Sequence, residues 1–266
     1  MISLTEFEKE QFIRDGYLVV RGLLPPELVA ETRNQLCASM EIDLSDPATW
    51  AGKASFPTDL KVIATTTPAR TPEFEAVVAQ LVGAEFLRGT CFSPFLEWNH
   101  LPSECRGYIP VLSYPVSGEK CLSPGGFHID GGKYVTTYPE RYFLAAMAYL
   151  TDVGEYGGAT AVRPGSHRQV LARWLEEGHT PDEPFAVVPD LDYADPVAVV
   201  AQAGDVCFMH YLMVHSGSVN YADHIRVGLN TAVMPDPERP YRPKSGTPQA
   251  DWTPMDYTLR TDKASQ

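Results

Sequence analysis

The sequence has no C-x-x-C pair, no cluster of lysine and arginine, and no apolar run of bilayer length. Each absence removes a class of function. The five cysteines (Cys37, Cys91, Cys105, Cys121, Cys207) are scattered singly and odd in number, so neither a disulfide framework nor a cysteine zinc site is expected. A reducing cytoplasm is the default compartment for such a chain. Lys+Arg number 21 against 34 Asp+Glu, a net charge of −13, with no basic stripe. Tracking a phosphate backbone or an anionic leaflet requires clustered cations, so neither nucleic acid nor membrane is an expected partner. A bilayer crossing needs about 20 apolar residues; the best run, 143–150, is followed by Asp152. The opening MISLTEFEKEQF is acidic and amphipathic, without the basic patch and apolar stretch of a secretory signal.

What is present is ordinary globular material: 266 residues, 44% hydrophobic and 21% charged. A chain of this length can bury roughly three-quarters of its unfolded surface without staples. There is no internal repeat and no long linker. Ser3 with Glu6 reads as a capping box before a helix over 4–15, and Gly16 ends it ahead of a strand at 17–21. Pro25-Pro26-Glu27 opens a second helix to about Met40, with Leu28, Val29, Thr32, Leu36 and Met40 on one face. Thr71-Pro72-Glu73 starts a third, whose Phe74, Val77, Val78, Leu81 and Val82 recur at helical spacing until Gly83.

Beyond residue 107 the texture changes to short apolar runs between glycine and proline turns, at 111–116, 143–150, 160–163, 197–202, 206–209, 213–215 and 226–234. One helix, 167–177, interrupts them and is closed by Gly178. Strands at this density predict a sandwich or barrel. The expected fold is α+β with a mainly β core, in one domain: a largely helical flank (1–106), a β core carrying the chemistry (107–234), and a proline-rich tail or lid (235–266).

Three segments carry chemistry. In Gly125-Gly126-Phe127-His128-Ile129-Asp130-Gly131-Gly132, His128 and Asp130 stand two apart, so an extended backbone turns both to one side. Alone, this pair reads equally as a surface turn with a His–Asp hydrogen bond. His215 ends an apolar run and precedes a Ser/Gly/Asn turn, as a ligand at a sheet rim or a core histidine would. His210, five residues earlier, would face the other way. Arg226 follows His215 by eleven residues; the turn residues between them predict neighbouring antiparallel strands about 5 Å apart. Its charge would meet a small anion, or form a structural ion pair with Asp205 or Asp223. Two histidines and one carboxylate with an open side form the facial triad of non-haem Fe(II) oxygenases. Such a centre retains net positive charge and can take a bidentate 2-oxo acid plus dioxygen. Arg226 would hold the far carboxylate of 2-oxoglutarate as a bidentate pair.

At these residues the sequence resembles the phytanoyl-CoA dioxygenase (PhyH-like) family of Fe(II)/2-oxoglutarate-dependent oxygenases. The resemblance runs through four segments in order. They are Phe12 to Glu27 at the entry, His128-x-Asp130, Gly157-Gly158-Ala159-Thr160 with Arg163-Pro164-Gly165-Ser166-His167, and Gly204-Asp205 followed by the His215–Asn220 turn and Arg226. It implies a double-stranded β-helix (jelly roll, cupin-like) with flanking helices. It also implies Fe(II) on His128, Asp130 and His215, and 2-oxoglutarate on Arg226, with O2 as the second co-substrate. Phe127 stands where many members carry tryptophan. Gly217 stands where many carry a serine that touches the co-substrate, leaving Ser218 as a candidate for that contact. Asp130 is present, whereas halogenating members lack the carboxylate.

The implied reaction is oxidation of an unactivated C–H bond of a small metabolite, in the first instance hydroxylation, with release of succinate and CO2 and a possible place in natural-product biosynthesis. Desaturation, cyclisation and epimerisation are alternatives on the same site. A zinc-type metal hydrolase and a catalytically silent binding protein are the alternatives of other classes. The acidic balance disfavours a CoA ester and favours a neutral or cationic small molecule. Trp98 and Tyr134 are candidates for the substrate pocket, with core packing as the plainer account of each. The sequence leaves the oligomeric state open.

Overall fold

The computed structural model describes residues 2–57, 59, 62, 71–84, 91–92, 109–130, 144–178, 188–234 and 248–259. Helix α1 (Glu6–Asp15) begins at Thr5, whose hydroxyl accepts from the Glu8 backbone while Glu8 reaches back to the Thr5 N–H. The capping box is therefore Thr5/Glu8, two residues later than the Ser3/Glu6 pair the sequence suggested. Both pairs satisfy the same spacing, and pattern alone does not choose between them. Gly16 ends α1 in the left-handed conformation at φ 80°. Strand β1 (Tyr17–Val20) follows directly. Helix α2 (Pro26–Met40) buries Val29, Thr32, Leu36 and Met40. Helix α3 (Pro72–Val82), capped by Thr71, buries Phe74, Val77, Val78, Leu81 and Val82.

The β core comprises β2 (Cys91–Phe92), β3 (Ile109–Ser113), β4 (Leu144–Tyr149), β5 (Thr160–Val162), β6 (Val197–Val199), β7 (Val206–His210), β8 (His215–Gly217) and β9 (Arg226–Met234). Helix α4 (Ser166–Glu176) lies between β5 and β6, and a short helix α5 (Pro254–Leu259) follows the strands. All ladders between these strands are antiparallel. They form two sheets. The larger runs β1-β7-β4-β9-β2, with β3 also paired to β9; the smaller runs β6-β5-β8. The segment around 124–128 extends the smaller sheet through bridges from Pro124 to Ser218 and from His128 to His215.

From β4 onward the chain crosses repeatedly between the two sheets, with β4, β7 and β9 in the larger and β5, β6 and β8 in the smaller. β4, in the middle of the larger sheet, is covered on both faces, and every one of its residues is buried. On its outer face Phe208 of β7 meets Phe74 of α3, with ring centroids 5.2 Å apart. Helix α5 packs on α1, α3 and α4, so this described part of the tail covers helices. The inner face looks across at the smaller sheet, and a cavity lies between them. Among the described residues no helix is long and apolar enough to cross a membrane.

Candidate metal centre

His128 and His215 are direct cross-strand partners. Each donates its backbone N–H to the other's carbonyl at 2.9 Å, the narrow hydrogen-bonded pairing that brings two side chains out together. Their ring centroids lie 4.4 Å apart. On the strand bearing His128, four steps from Pro124 match three steps on the partner from Ser218. One extra residue is thus taken up in Gly125-Gly126-Phe127, a bulge that re-aims the end of the strand. His128 Nδ1 lies 3.1 Å from the Gly126 carbonyl, and His215 Nδ1 lies 3.0 Å from the Met213 carbonyl. A carbonyl only accepts, so each Nδ1 carries a proton; each Nε2 then faces Asp130, donating to it in the protonated ring and offering its lone pair to a metal in the neutral one. Both Nε2 atoms lie 3.5 Å from Asp130 Oδ1. One ligand atom from each of the three side chains falls within 4.8 Å of the others.

Electrostatics agree with the geometry. The hydrogen bond to Asp130 is the main influence holding His128 above the usual imidazole range, against its burial. Burial alone would raise Asp130, but the charge of His215 and hydrogen bonds from both rings pull its carboxyl well below the usual carboxylate range. The carboxylate is therefore ionised at neutral pH, as metal coordination requires.

His128, Asp130, His215 and Arg226 line one cavity of about 240 Å³. Arg226 opens β9, opposite Ser113 of β3, and is 4% exposed. Burial lowers its pKa, with Tyr149 acting the other way. Its Nε has no hydrogen-bond partner among the described residues. The two structural partners that the sequence offered are engaged elsewhere. Asp205 binds Arg21 at 2.6 Å, and Asp223 lies on the surface beside His224. A buried charge left unpaired costs several kcal/mol, so a guanidinium with no acidic partner among the described residues points to an anionic ligand. Thr160 of β5 lines the same cavity directly opposite Gly217 of β8, and the Tyr149 hydroxyl donates to its Oγ1 at 3.4 Å. Two hydroxyls thus stand near the position where Gly217 lacks one.

The structure corrects two expectations. His215 and Arg226 do not occupy neighbouring strands: β8 belongs to the smaller sheet and β9 to the larger, so they face each other across the cavity. The link between them turns at Asn220, whose side-chain N–H groups donate to the Ser113 and His224 carbonyls and whose Oδ1 accepts from Ala222. Ser218 is the second correction. Strand alternation turns His215 and Gly217 inward, so Gly217 lines the cavity and Ser218 does not.

Trp98 and Tyr134 lie outside the described residues. His210 is buried away from the cavity against His167 and Phe12. Sequence reasoning missed Thr160, Asn230 and Met147 of the cavity wall. Each sits in an apolar run whose inward phase was ambiguous without its sheet partners.

A family model described as phytanoyl-CoA dioxygenase (PhyH) matches residues 12–228. A search of curated protein sequences gives no significant match. Among solved structures, the non-heme α-ketoglutarate-dependent epimerase SnoN from nogalamycin biosynthesis is similar at 20% identity. That match covers 86% of this chain and 82% of SnoN, with a TM-score of 0.54. EvdO2 from Micromonospora carbonacea var. aurantiaca, solved in complex with 2-oxoglutarate, is similar at 15% identity over 91% of this chain and 94% of its own, TM-score 0.58. AviO1 from Streptomyces viridochromogenes is similar at 17% identity over 88% and 96%, TM-score 0.52. At these identities the likeness concerns the fold.

Proposed function

The chain belongs to the phytanoyl-CoA dioxygenase family, and from that footing we propose that it is an Fe(II)/2-oxoglutarate-dependent dioxygenase of a small metabolite. The observation that carries the proposal is the shared cavity of a His–Asp–His donor set and a buried arginine whose Nε has no partner among the described residues. The donors fit ferrous iron: two imidazoles whose Nε2 atoms would ligate once deprotonated, one ionised carboxylate, and a cavity on the open side. The order of strands across the two sheets, and the likeness to SnoN and EvdO2, support a double-stranded β-helix for the core.

His128, Asp130 and His215 would hold the metal, and the backbone carbonyls of Gly126 and Met213 keep both rings in the ligating tautomer. Arg226 would grip the far carboxylate of 2-oxoglutarate, with the Thr160 and Tyr149 hydroxyls as its neighbours. Burial pushes the Tyr149 phenol up and keeps it protonated, so it remains a donor. Bound there, iron with 2-oxoglutarate and O2 supplies oxidative decarboxylation to succinate and CO2 coupled to oxidation of a C–H bond. Ile109, Val111, Met147 and Met209 form the apolar part of the wall around that space.

Hydroxylation is the simplest outcome. Epimerisation and carbocyclisation are named for two of the similar structures, SnoN and SnoK, and the same donor set serves them. That likeness also supports a substrate from natural-product metabolism. A zinc-type hydrolase would leave Arg226 without a role.

Anaerobic titration with Fe(II), with and without 2-oxoglutarate, tests the reading. The wild-type protein is expected to develop a visible metal-to-ligand charge-transfer band only when both are present. His215→Ala should abolish it. Arg226→Ala should weaken 2-oxoglutarate roughly tenfold to hundredfold, the worth of a charge-assisted hydrogen bond, while sparing Fe(II). A band that persists in His215→Ala, or none in the wild type, rejects the assignment.

A further inference from the structure

Resting on the reading that His128, Asp130 and His215 hold iron, we infer that Arg163 is a positioning residue of the metal centre: its guanidinium, set over the Phe127 ring, fixes the segment that carries His128. The need for such a hold is visible in the sequence. His128 follows Gly125-Gly126-Phe127, and the two glycines bring wide backbone freedom and no side chain to pack. The His128 side chain is 52% exposed, against 10% for that of His215. Backbone hydrogen bonds from Gly125 to Gly217 and between His128 and His215 pair this segment with β8. Phe127 is the one side chain between the glycines and His128 that can be gripped.

Arg163 supplies the grip, and it is tied to both histidine segments. It directly follows β5, whose Val162 is paired with His215. Its backbone N–H donates to the Val214 carbonyl at 3.0 Å, one residue before that histidine. Its guanidinium carbon lies 4.4 Å from the centroid of the Phe127 ring, one residue before the other. At that distance the ring quadrupole attracts the cation. Tyr193 offers a second ring at 5.9 Å, and Nη1 donates to the Ala194 carbonyl at 2.9 Å, which holds the guanidinium in place. β8 is paired with β5 on one side and with the His128 segment on the other. The contact therefore spans β8 and ties the outer two of these three segments together. Strand alternation turns Phe127 away from the cavity that His128 lines, so the tie takes no space from a ligand.

Iron affinity reads this hold. Fe(II) is titrated anaerobically at saturating 2-oxoglutarate, and the charge-transfer band gives its apparent affinity. In a separate titration 2-oxoglutarate is added at saturating Fe(II). Arg163→Met keeps the stem and the backbone bond but removes the cation. It should weaken Fe(II) roughly three- to tenfold, the worth of a cation–π contact, because the metal must then order the His128 segment itself. Affinity for 2-oxoglutarate should stay within about twofold, since Arg226 lies on the other sheet. Phe127→Leu should weaken Fe(II) to a similar degree, and the double variant no further than either single one, as for two groups that act through each other. Arg163→Lys keeps a cation within reach of the ring and should recover most of the loss.

Fe(II) affinity within about twofold of wild type in the single variants overturns the inference while the wild-type band leaves the iron reading intact. Additive losses in the double variant, or a lysine that recovers nothing, overturn it equally. Parallel loss of Fe(II) and 2-oxoglutarate affinity, or a lower urea midpoint with unchanged Fe(II) affinity, assigns Arg163 to general packing and also overturns it. If Arg163→Met does not fold, Phe127→Leu decides by the same threshold, since it removes the contact from its other side. A wild-type protein that forms no band rejects the underlying reading and this inference together.

Discussion

Gly16 shows how much one position can carry. It sits at φ 80°, a conformation that costs an L-residue roughly 1 kcal/mol or more. An added Cβ would also collide with the His167 ring and the Met213 side chain. Its carbonyl accepts the His210 backbone N–H at 2.8 Å, tying α1 to the end of β7. Gly16→Ala is therefore expected to destabilise the protein by about 2–4 kcal/mol, strain and overpacking together, read as a lower urea midpoint with an unchanged slope. A loss under 0.5 kcal/mol, on the order of an innocuous surface change, would reject this account. At the metal centre, residue types and spacing were legible in the chain: an imidazole and a carboxylate two apart, a histidine at a rim, an arginine eleven on. Ser218 was misplaced because a one-residue shift on a strand reverses the face, and residue type does not reveal phase.

Helix α3 was the most readable element, since five apolar positions at helical spacing between Thr71-Pro72 and Gly83 admit little else. All five are buried, and Phe74 is the anchor against Phe208 of the larger sheet. Truncating a fully buried phenylalanine removes transfer free energy and leaves a cavity, so Phe74→Ala should cost about 3–5 kcal/mol. The expected outcome is a large fall in the unfolding midpoint, with the Fe(II)/2-oxoglutarate band retained at temperatures where the variant stays folded. Loss of that band in the folded variant would contradict a purely packing role. Short strands were less readable. The run at 213–215 marks only the approach to β8, which spans His215–Gly217. Its pairing with Thr160–Val162 on one side and with the strand of His128 on the other depends on backbone partners far away in sequence.

Two buried histidines make the stability of the whole molecule depend on pH. His167 and His210 lie 5.0 Å apart between α1, α4 and β7, and burial lowers both pKa values, that of His167 to about 3. Their unfolded pKa is near 6.5. Below that value the unfolded chain binds protons that the folded chain refuses, so stability is complete above pH 6.5 and falls as pH drops toward 3. Each group contributes a slope of at most about 1.4 kcal/mol per pH unit. Urea midpoints should therefore decline from pH 7 to pH 5, and His167→Gln should flatten part of the decline. A profile level across that range would reject the assignment of neutral buried rings.

Caps, helix faces, the strand-rich texture after residue 107 and the four chemical side chains are short-range features, each declared by a few neighbouring residues. They sufficed to mark the family resemblance and the three side chains that converge as candidate metal ligands. Folding alone chose the rest. It put His215 and Arg226 on opposite sheets, set Thr160 across from Gly217, aimed both Nε2 atoms at Asp130, and brought Asn230 into the cavity wall. These depend on pairings between segments as far apart as residues 128 and 215. No local pattern encodes them, because a strand acquires an inside and an outside only when it meets its partners.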